Sequence, residues 1–329
     1  MTANSVFIAT HLLHGDGTHR RLLRAAGFDI RIPPKDLDIT QPQQLSIAIG
    51  DAEAIVAGTE PYTRTVMEAA PRLRVIIRFG AGYDAVDTQA ADALAIAVAT
   101  TAGTNHEAVA EHALAMLLAL ARGLPQRDRM VRRGEWNKTA MSRFAGATLG
   151  LVGLGRSAQA LVRLVSGMGM RILVSTPRPD GAFVAQHQIR VVTLDELLSE
   201  ADFISLHLPL DAETHNFIDH RRLALVKPHA VLLNVARGGL VNEEALHDAL
   251  VGGRLAGAGL DVFAHEPCPP DHPLLRLDNV VVSPHVAGLD RESFDEACTK
   301  VAHVLIELRD GLWPNQAVVN LRGRTGWHW

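Results

Sequence analysis

Three short stretches in the second half of the chain each set one charged or titratable side chain among small residues. Asn234-Val235-Ala236-Arg237-Gly238-Gly239 places a fixed cation before two glycines, directly after an apolar run. Asp261-Val262-Phe263-Ala264-His265-Glu266-Pro267 puts a carboxylate, Glu266, on a loop, and Ser283-Pro284-His285-Val286-Ala287-Gly288 sets a histidine beside a proline and a glycine turn. A guanidinium holds a small carboxylate through paired hydrogen bonds better than an ammonium does. Histidine gives or takes a proton near neutral pH. A carboxylate hydrogen-bonded to it orients the ring and favours its protonated form. Arg237, Glu266 and His285 together could therefore bind a small acid and move a proton on it. Singly they would read as a surface cation, a solvated loop carboxylate and a capped turn residue, but three successive loops carrying such a set are hard to obtain from folding needs alone.

A partner for that chemistry is written upstream. Residues 148–152 form a short apolar run, Gly153-Leu154-Gly155-Arg156-Ser157-Ala158 follows as G-x-G-x-x-A, apolar residues recur at helical spacing over 160–168, and residues 171–174 rise again as a strand. This βαβ pattern is a dinucleotide fingerprint. Gly153 permits the turn, Gly155 lets backbone approach a pyrophosphate, and the small Ala158 lets helix and strand pack closely, with the phosphates on the helix N-terminus. The second strand of an NAD unit usually ends in an acidic residue that bonds the ribose hydroxyls. Here it ends in Ser175-Thr176-Pro177-Arg178. No carboxylate repels a 2′-phosphate there, and Ser175, Thr176 and Arg178 can accept one, so NADP is slightly favoured over NAD. A nicotinamide beside a carboxylate clamp and an acid/base pair points to hydride transfer on a small 2-oxo or 2-hydroxy acid.

The elements that must position these groups form two α/β domains. Apolar runs at 6–9, 29–32, 54–57, 75–79 and 97–99 alternate with helical patterns, which predicts a doubly wound parallel sheet before the dinucleotide unit begins. Further strands at 189–192, 203–206, 231–235, 259–263 and 280–283 complete a second sheet. Residues 105–122 are apolar over more than one stripe, which predicts a buried crossing helix and a homodimer interface; Gly123-Leu124-Pro125 stops it. The terminal helix 291–309 and the tail after it are expected to return to the first domain. The expected division is thus a substrate domain of 1–102 plus 290–329 and a dinucleotide-binding domain of 103–289.

GLGRSAQ, NVARGGLVNEEAL, GAGLDVFAHEPCPPDHPL and NVVVSPHVAG, in this order, resemble the motifs of the D-isomer-specific 2-hydroxyacid dehydrogenases, over nearly the whole chain. The resemblance implies a Rossmann-type dinucleotide domain inserted in a flavodoxin-like substrate domain, with the active site in the cleft between them. It implies that Arg237 binds the substrate carboxylate, that Glu266 partners the histidine, and that His285 is the acid that protonates the carbonyl during reduction. It makes residues 78–82 the substrate loop, with Arg78 in it and the amides of Ala81 and Gly82 as carboxylate donors. Thr101, Arg156, Ser157, Val235, Ala236, Asp261 and Gly288 become cofactor contacts by the same route. Arg78 and the stretch Asn105-His106-Glu107-Ala108-Val109-Ala110-Glu111 resemble the phosphoglycerate dehydrogenases, which makes 3-phosphoglycerate chemistry the alternative within the class. A dinucleotide-sensing corepressor module is the alternative outside it.

With 329 residues the chain is long enough for two cores, and 47% hydrophobic against 21% charged residues excludes a disordered chain. A net charge of -4 gives no reason to expect nucleic acid or an anionic membrane as partner. Cys268 and Cys298 show no metal or disulfide spacing, and the N-terminus shows no secretory leader, so a cytoplasmic protein is expected. The longest strongly apolar segment, residues 113–121, is far short of the roughly 20 residues of a membrane helix. His11, His14 and His19 are expected on a solvated surface without metal. His106 and His112, on the long helix, are expected to have packing or interface roles, His106 with the alternative of tuning substrate choice. Arg127, Arg129, Arg132 and Arg133, diluted by Asp128 and Glu135, read as an exposed helical face.

Overall fold

The computed structural model describes residues 4–321 and 326–329. Contacts divide the chain into two compact units, 1–105 with 290–329, and 106–289. In the first unit five strands, β1 (Ser5–Ile8), β2 (Asp29–Arg31), β3 (Ala54–Ala57), β4 (Val75–Arg78) and β5 (Ala97–Thr100), lie in the order β2-β1-β3-β4-β5. Every pair is parallel. Side chains alternate across the pleat, so Val6, Ile8, Val56 and Ile77 pack with the helix Arg291–Arg309, while Phe7, Ile55, Ile76 and Val98 pack with the helices Pro42–Ile49, Arg64–Glu68 and Thr88–Ala93. Both faces being covered, the strands read as continuous apolar runs. The tail joins this unit: Asn320 accepts from Val98 N at 2.7 Å and donates to Ile96 O at 2.9 Å, and Val318 bridges Ala99 antiparallel.

The second unit holds seven parallel strands: β6 (Thr148–Val152), β7 (Arg171–Ser175), β8 (Arg190–Val191), β9 (Phe203–Leu206), β10 (Val231–Asn234), β11 (Gly257–Leu260) and β12 (Val280–Val282). Their order is β12-β11-β10-β9-β6-β7-β8. The chain builds outward from β6 through β7 to β8, then returns to lay β9 on the other side of β6. This reversal is the topological switch point at which open α/β sheets bind ligands, outside the C-terminal strand ends. The helices His106–Ala121 and Arg156–Val165 cover one face, packed on Leu149, Leu151, Val174 and Leu233; helices including Leu194–Glu200 and Glu243–Val251 cover the other.

One expectation needs correction, and two others gain a physical account. His19 is buried, not solvated: its Nε2 lies 3.0 Å from Leu13 O, and burial pulls its pKa below the ordinary histidine value despite that bond. It closes the turn before the helix Thr18–Ala25, as His14 does with the carbonyls of Ile8 and Ala9. Gly123-Leu124-Pro125 stops one helix and starts another. Gly123 takes a left-handed φ of 56°, and Leu124–Arg132 follows with proline in its first turn, where the missing N–H costs nothing. This second helix buries none of its residues, so its arginines do form an exposed face. Finally, the apolar breadth of His106–Ala121 is met inside its own unit: Ala110, Ala113, Met116, Leu117 and Leu120 are buried in the core, and Val109, Leu114 and Leu118 pack against it. No single helix among the described residues is long and apolar enough to cross a membrane.

Candidate active site

The C-terminal ends of β6, β7, β9, β10, β11 and β12 carry most groups of interest in the second unit. At β6 the turn requires glycine twice over. Gly153 has φ +94°, and a Cβ there would lie 2.5 Å from His207 O, the carbonyl just beyond β9. Gly155 caps the helix Arg156–Val165 with no side-chain hydrogen bond, and its missing Cβ faces open space. The first amides of that helix therefore have no capping side chain, and the backbone stays open beside them. That fits a pyrophosphate. Arg156 is exposed and Ser157 half-buried at the helix start. At the end of β7, Ser175 and Thr176 are half-buried and Arg178 is exposed. The next carboxylate, Asp180, accepts from Phe183 N at 3.1 Å as a helix cap.

After β10 and β11 the two loops touch through backbone. A Cβ on Gly238 would overlap the carbonyl of Phe263, so only glycine lets the Arg237 loop lie against the Glu266 loop. Asn234, buried, shapes the first loop by donating to Arg237 O at 2.8 Å and accepting from Ala236 N at 3.1 Å. Val235 is buried in the core and Ala236 is half-buried, so what this turn can present to a ligand is backbone. Arg237 is half-buried and donates to Ala236 O.

His285 Nδ1 lies 2.7 Å from Glu266 Oε2. Glu266 Oε1 accepts from Phe263 N at 3.0 Å. Burial alone would raise the Glu266 pKa, but the hydrogen bond and charge of His285, the Phe263 amide and the Arg237 charge outweigh it and hold the carboxyl below its ordinary range. Glu266 is thus an acceptor at neutral pH. Nδ1 must carry a proton to meet it, which leaves Nε2 for a reacting oxygen; Nε2 enters no hydrogen bond among the described residues. About a third of each side chain is exposed, 34% for His285 and 31% for Glu266. His285 sits at φ 56°, a left-handed conformation unusual for a non-glycine residue.

Asp261 explains how that turn is held. It is 1% exposed, its Oδ1 accepts from Ser283 Oγ at 2.6 Å and Val286 N at 2.9 Å, its Oδ2 accepts from Ala287 N at 2.9 Å, and its backbone carbonyl accepts from His285 N at 2.8 Å. Its carboxylate clamps the turn that carries His285, because a buried charge needs its lone pairs satisfied. Behind it His112 Nε2 reaches Ser283 Oγ at 2.8 Å. Sequence reasoning gave His112 a packing or interface role, and no local spacing signals a partner 171 residues away. Gly288 is half-buried at the end of this turn.

In the first unit, Gly80 has φ +136° and donates to Thr101 Oγ1 at 2.7 Å, while Thr101 N faces the carbonyls of Arg78 and Gly80. Thr101 is fully buried. It pins the 78–82 loop. Arg78 donates to Phe79 O. The amides of Ala81 and Gly82 enter no hydrogen bond among the described residues, and both residues reach solvent.

The model of the D-isomer specific 2-hydroxyacid dehydrogenase NAD binding domain matches residues 114–287. The chain belongs to this family. It is 42% identical over 288 residues to the glyoxylate reductase of Korarchaeum cryptofilum, covering 83% of this chain and 86% of that one. It is equally 42% identical over 262 residues to the D-3-phosphoglycerate dehydrogenase of Mycobacterium tuberculosis, covering 79% of this chain but 49% of that enzyme, so it spans about half of that relative's length. Among solved structures, the NADPH-dependent glyoxylate/hydroxypyruvate reductase of Sinorhizobium meliloti, in complex with NADP and malonate, superposes with a TM-score of 0.80 at 29% identity, covering 93% of each chain. As a D-2-hydroxyacid dehydrogenase, the protein is an oxidoreductase whose nicotinamide cofactor exchanges a hydride with a 2-oxo or D-2-hydroxy acid. Membership of this family supports hydride transfer over a dinucleotide-sensing corepressor role.

Proposed function

We propose that the protein is a reductase of small 2-oxo acids of the glyoxylate and hydroxypyruvate type, with His285 as general acid, Glu266 as its orienting partner and Arg237 as the carboxylate clamp. The observation that carries this is the 2.7 Å bond from His285 Nδ1 to Glu266, which fixes the tautomer and leaves Nε2 to act on a carbonyl oxygen. The bound cofactor supplies the hydride. As negative charge grows on the substrate oxygen, Nε2–H donates to it; the imidazole then returns to neutral, and Glu266 keeps its acceptor role throughout. Arg237 holds the carboxylate through a paired guanidinium contact. The amides of Ala81 and Gly82 are the donors that the first unit offers to such a carboxylate, and Arg78 belongs to the same loop.

For the cofactor, Gly153, Gly155, Arg156 and Ser157 would hold the pyrophosphate, and Ser175, Thr176 and Arg178 would hold an adenosine 2′-phosphate. The absence of an acidic side chain at Thr176 and the engagement of Asp180 as a cap support NADP over NAD. Val235, Ala236 and Gly288 would contribute backbone. We place the protein in the cytoplasm, in keeping with its two free cysteines. A homodimer is supported by the exposed apolar residues Leu124, Val131, Trp136 and Met141, at 61%, 50%, 76% and 46% exposure, rather than by the long helix, which its own unit covers. Light scattering reads this directly.

Paired fluorescence titrations with NADH and NADPH, followed by initial rates on glyoxylate, hydroxypyruvate and 3-phosphohydroxypyruvate, test the reading. Tighter NADPH binding, lost about tenfold in Arg178→Ala with NADH unaffected, is the expected result for one charge-assisted hydrogen bond. No turnover on any 2-oxo acid overturns the reductase, and a strong preference for the phosphorylated substrate moves the assignment to the phosphoglycerate branch, which the identity to the mycobacterial enzyme favours equally.

A further inference from the structure

Beneath the glycine turn, two polar side chains that the reading above does not use, Ser205 and His207, line up with Ser157. Ser205 is fully buried within β9, and its hydroxyl lies 2.9 Å from His207 Nε2. His207 Nδ1 lies 3.1 Å from Ser157 Oγ, in the first turn of the helix after the fingerprint. The alignment follows from the sheet: Ser205 lies in β9 on the same face as Phe203, which the helix Arg156–Val165 covers, and His207 follows just beyond the strand end.

The direction of this chain can be decided. A neutral imidazole donates from one nitrogen and accepts at the other. Burial pushes the His207 pKa down to about 4, so the ring is neutral in working conditions. If Nε2 carried the proton, Ser205 would accept it, and its own hydroxyl proton would have no acceptor among the described residues, at a site with no exposure. A buried donor left unmade is costly. If Nδ1 carries the proton, every group is satisfied: Ser205 donates to Nε2, Nδ1 donates to Ser157 Oγ, and the Ser157 hydroxyl keeps its own proton for another acceptor.

We propose that Ser205 and His207 are positioning residues that hold Ser157 as a hydrogen-bond donor to the cofactor pyrophosphate, so that a side chain joins the helix amides in reading the anion. The proposal rests on the dinucleotide reading of the fingerprint. With the opposite tautomer, Ser157 would turn lone pairs toward the phosphate oxygens and oppose binding. The relay therefore adds a second control over cofactor affinity, set from inside the sheet and independent of the 2′-phosphate.

The test is a double-mutant cycle on the Kd of NADH and NADPH, read by protein fluorescence. Ser157→Ala and His207→Leu should each weaken both cofactors about tenfold, and the double variant should be no weaker than either alone. His207→Asn, which returns an amide donor near the place of Nδ1, should recover most of the loss, and nitrogen NMR of the wild-type ring should show Nδ1 protonated and Nε2 bare. Additive losses, an unaltered Kd in Ser157→Ala, or the opposite tautomer would overturn the relay. Should His207→Leu not fold, Ser157→Ala and the NMR assignment decide alone. Wild-type protein that binds neither dinucleotide would instead overturn the cofactor reading itself.

Discussion

At the N-terminal end of the seven-stranded sheet, Asp202 sits just ahead of β9. Its Oδ1 is 2.8 Å from Lys227 Nζ and 3.0 Å from His229 Nε2, and its Oδ2 accepts from Thr148 N at 2.9 Å. Burial would raise its pKa, but those partners overcome it and hold the carboxyl at about 2. At the C-terminal end, Glu266 also meets a histidine and a backbone amide, but no lysine among the described residues pairs with it, and the Arg237 charge lies near. The first carboxylate joins β6, β9 and the approach to β10 through a lysine and a backbone amide. The second orients a histidine on loops that a glycine brings together. A carboxylate paired with a lysine between strand starts supports the fold, whereas one that orients a titratable ring beside a cation on adjacent loops can do chemistry.

Substitutions at the two ends should separate these effects. The largest change is expected for His285→Ala, where kcat should fall by about 10²–10⁴, the usual worth of a positioned acid, with the fold intact by circular dichroism. A retained kcat would remove His285 from its role. Arg237→Ala should lower kcat/KM by about 100-fold through loss of paired charge-assisted bonds, and Arg237→Lys should recover little of it, since an ammonium lacks the fork. Asp202→Asn should act oppositely, leaving kinetics unchanged while costing about 2 kcal/mol of stability at pH 7. Because the folded-state pKa is depressed from 3.8 to about 2, that stabilisation is full above the unfolded value and is lost as pH falls through about 2. Denaturant melts across this range should show wild type and variant converging at the acid end. The smallest effect is expected for His112→Phe, about tenfold in kcat with KM nearly constant, because His112 acts on His285 only through Ser283 and Asp261. A larger change in KM than in kcat would mean that it touches the ligand instead.

Much of the C-terminal end was legible in the sequence because its chemistry is written locally. Gly153 and Gly155 stand at fixed offsets between a strand and a helix, and Arg237, Glu266 and His285 each lie on a loop that leaves an apolar run. The doubly wound sheets followed from apolar runs of strand length alternating with helical spacing. What could not be read were bonds between distant residues. Nothing near Ser205 or His207 announces Ser157, and the motif position of Asp261 does not show the three donors its carboxylate accepts from. His19 was misjudged for the same reason, since the carbonyl that lets it enter the interior belongs to the fold and not to the local pattern. The homodimer expectation rested on apolarity alone, which does not distinguish a subunit face from a helix enclosed by its own domain.

The left-handed backbone at His285 bears on how the enzyme would respond to selection. An L-residue with a side chain carries a cost of roughly 1–2 kcal/mol in that conformation, and glycine does not. Glycine at 285 should therefore yield a catalytically dead protein that outlasts its alanine counterpart on heating. Screens that reward only thermal endurance would drift toward losing the histidine, so activity has to be selected alongside stability at this one position.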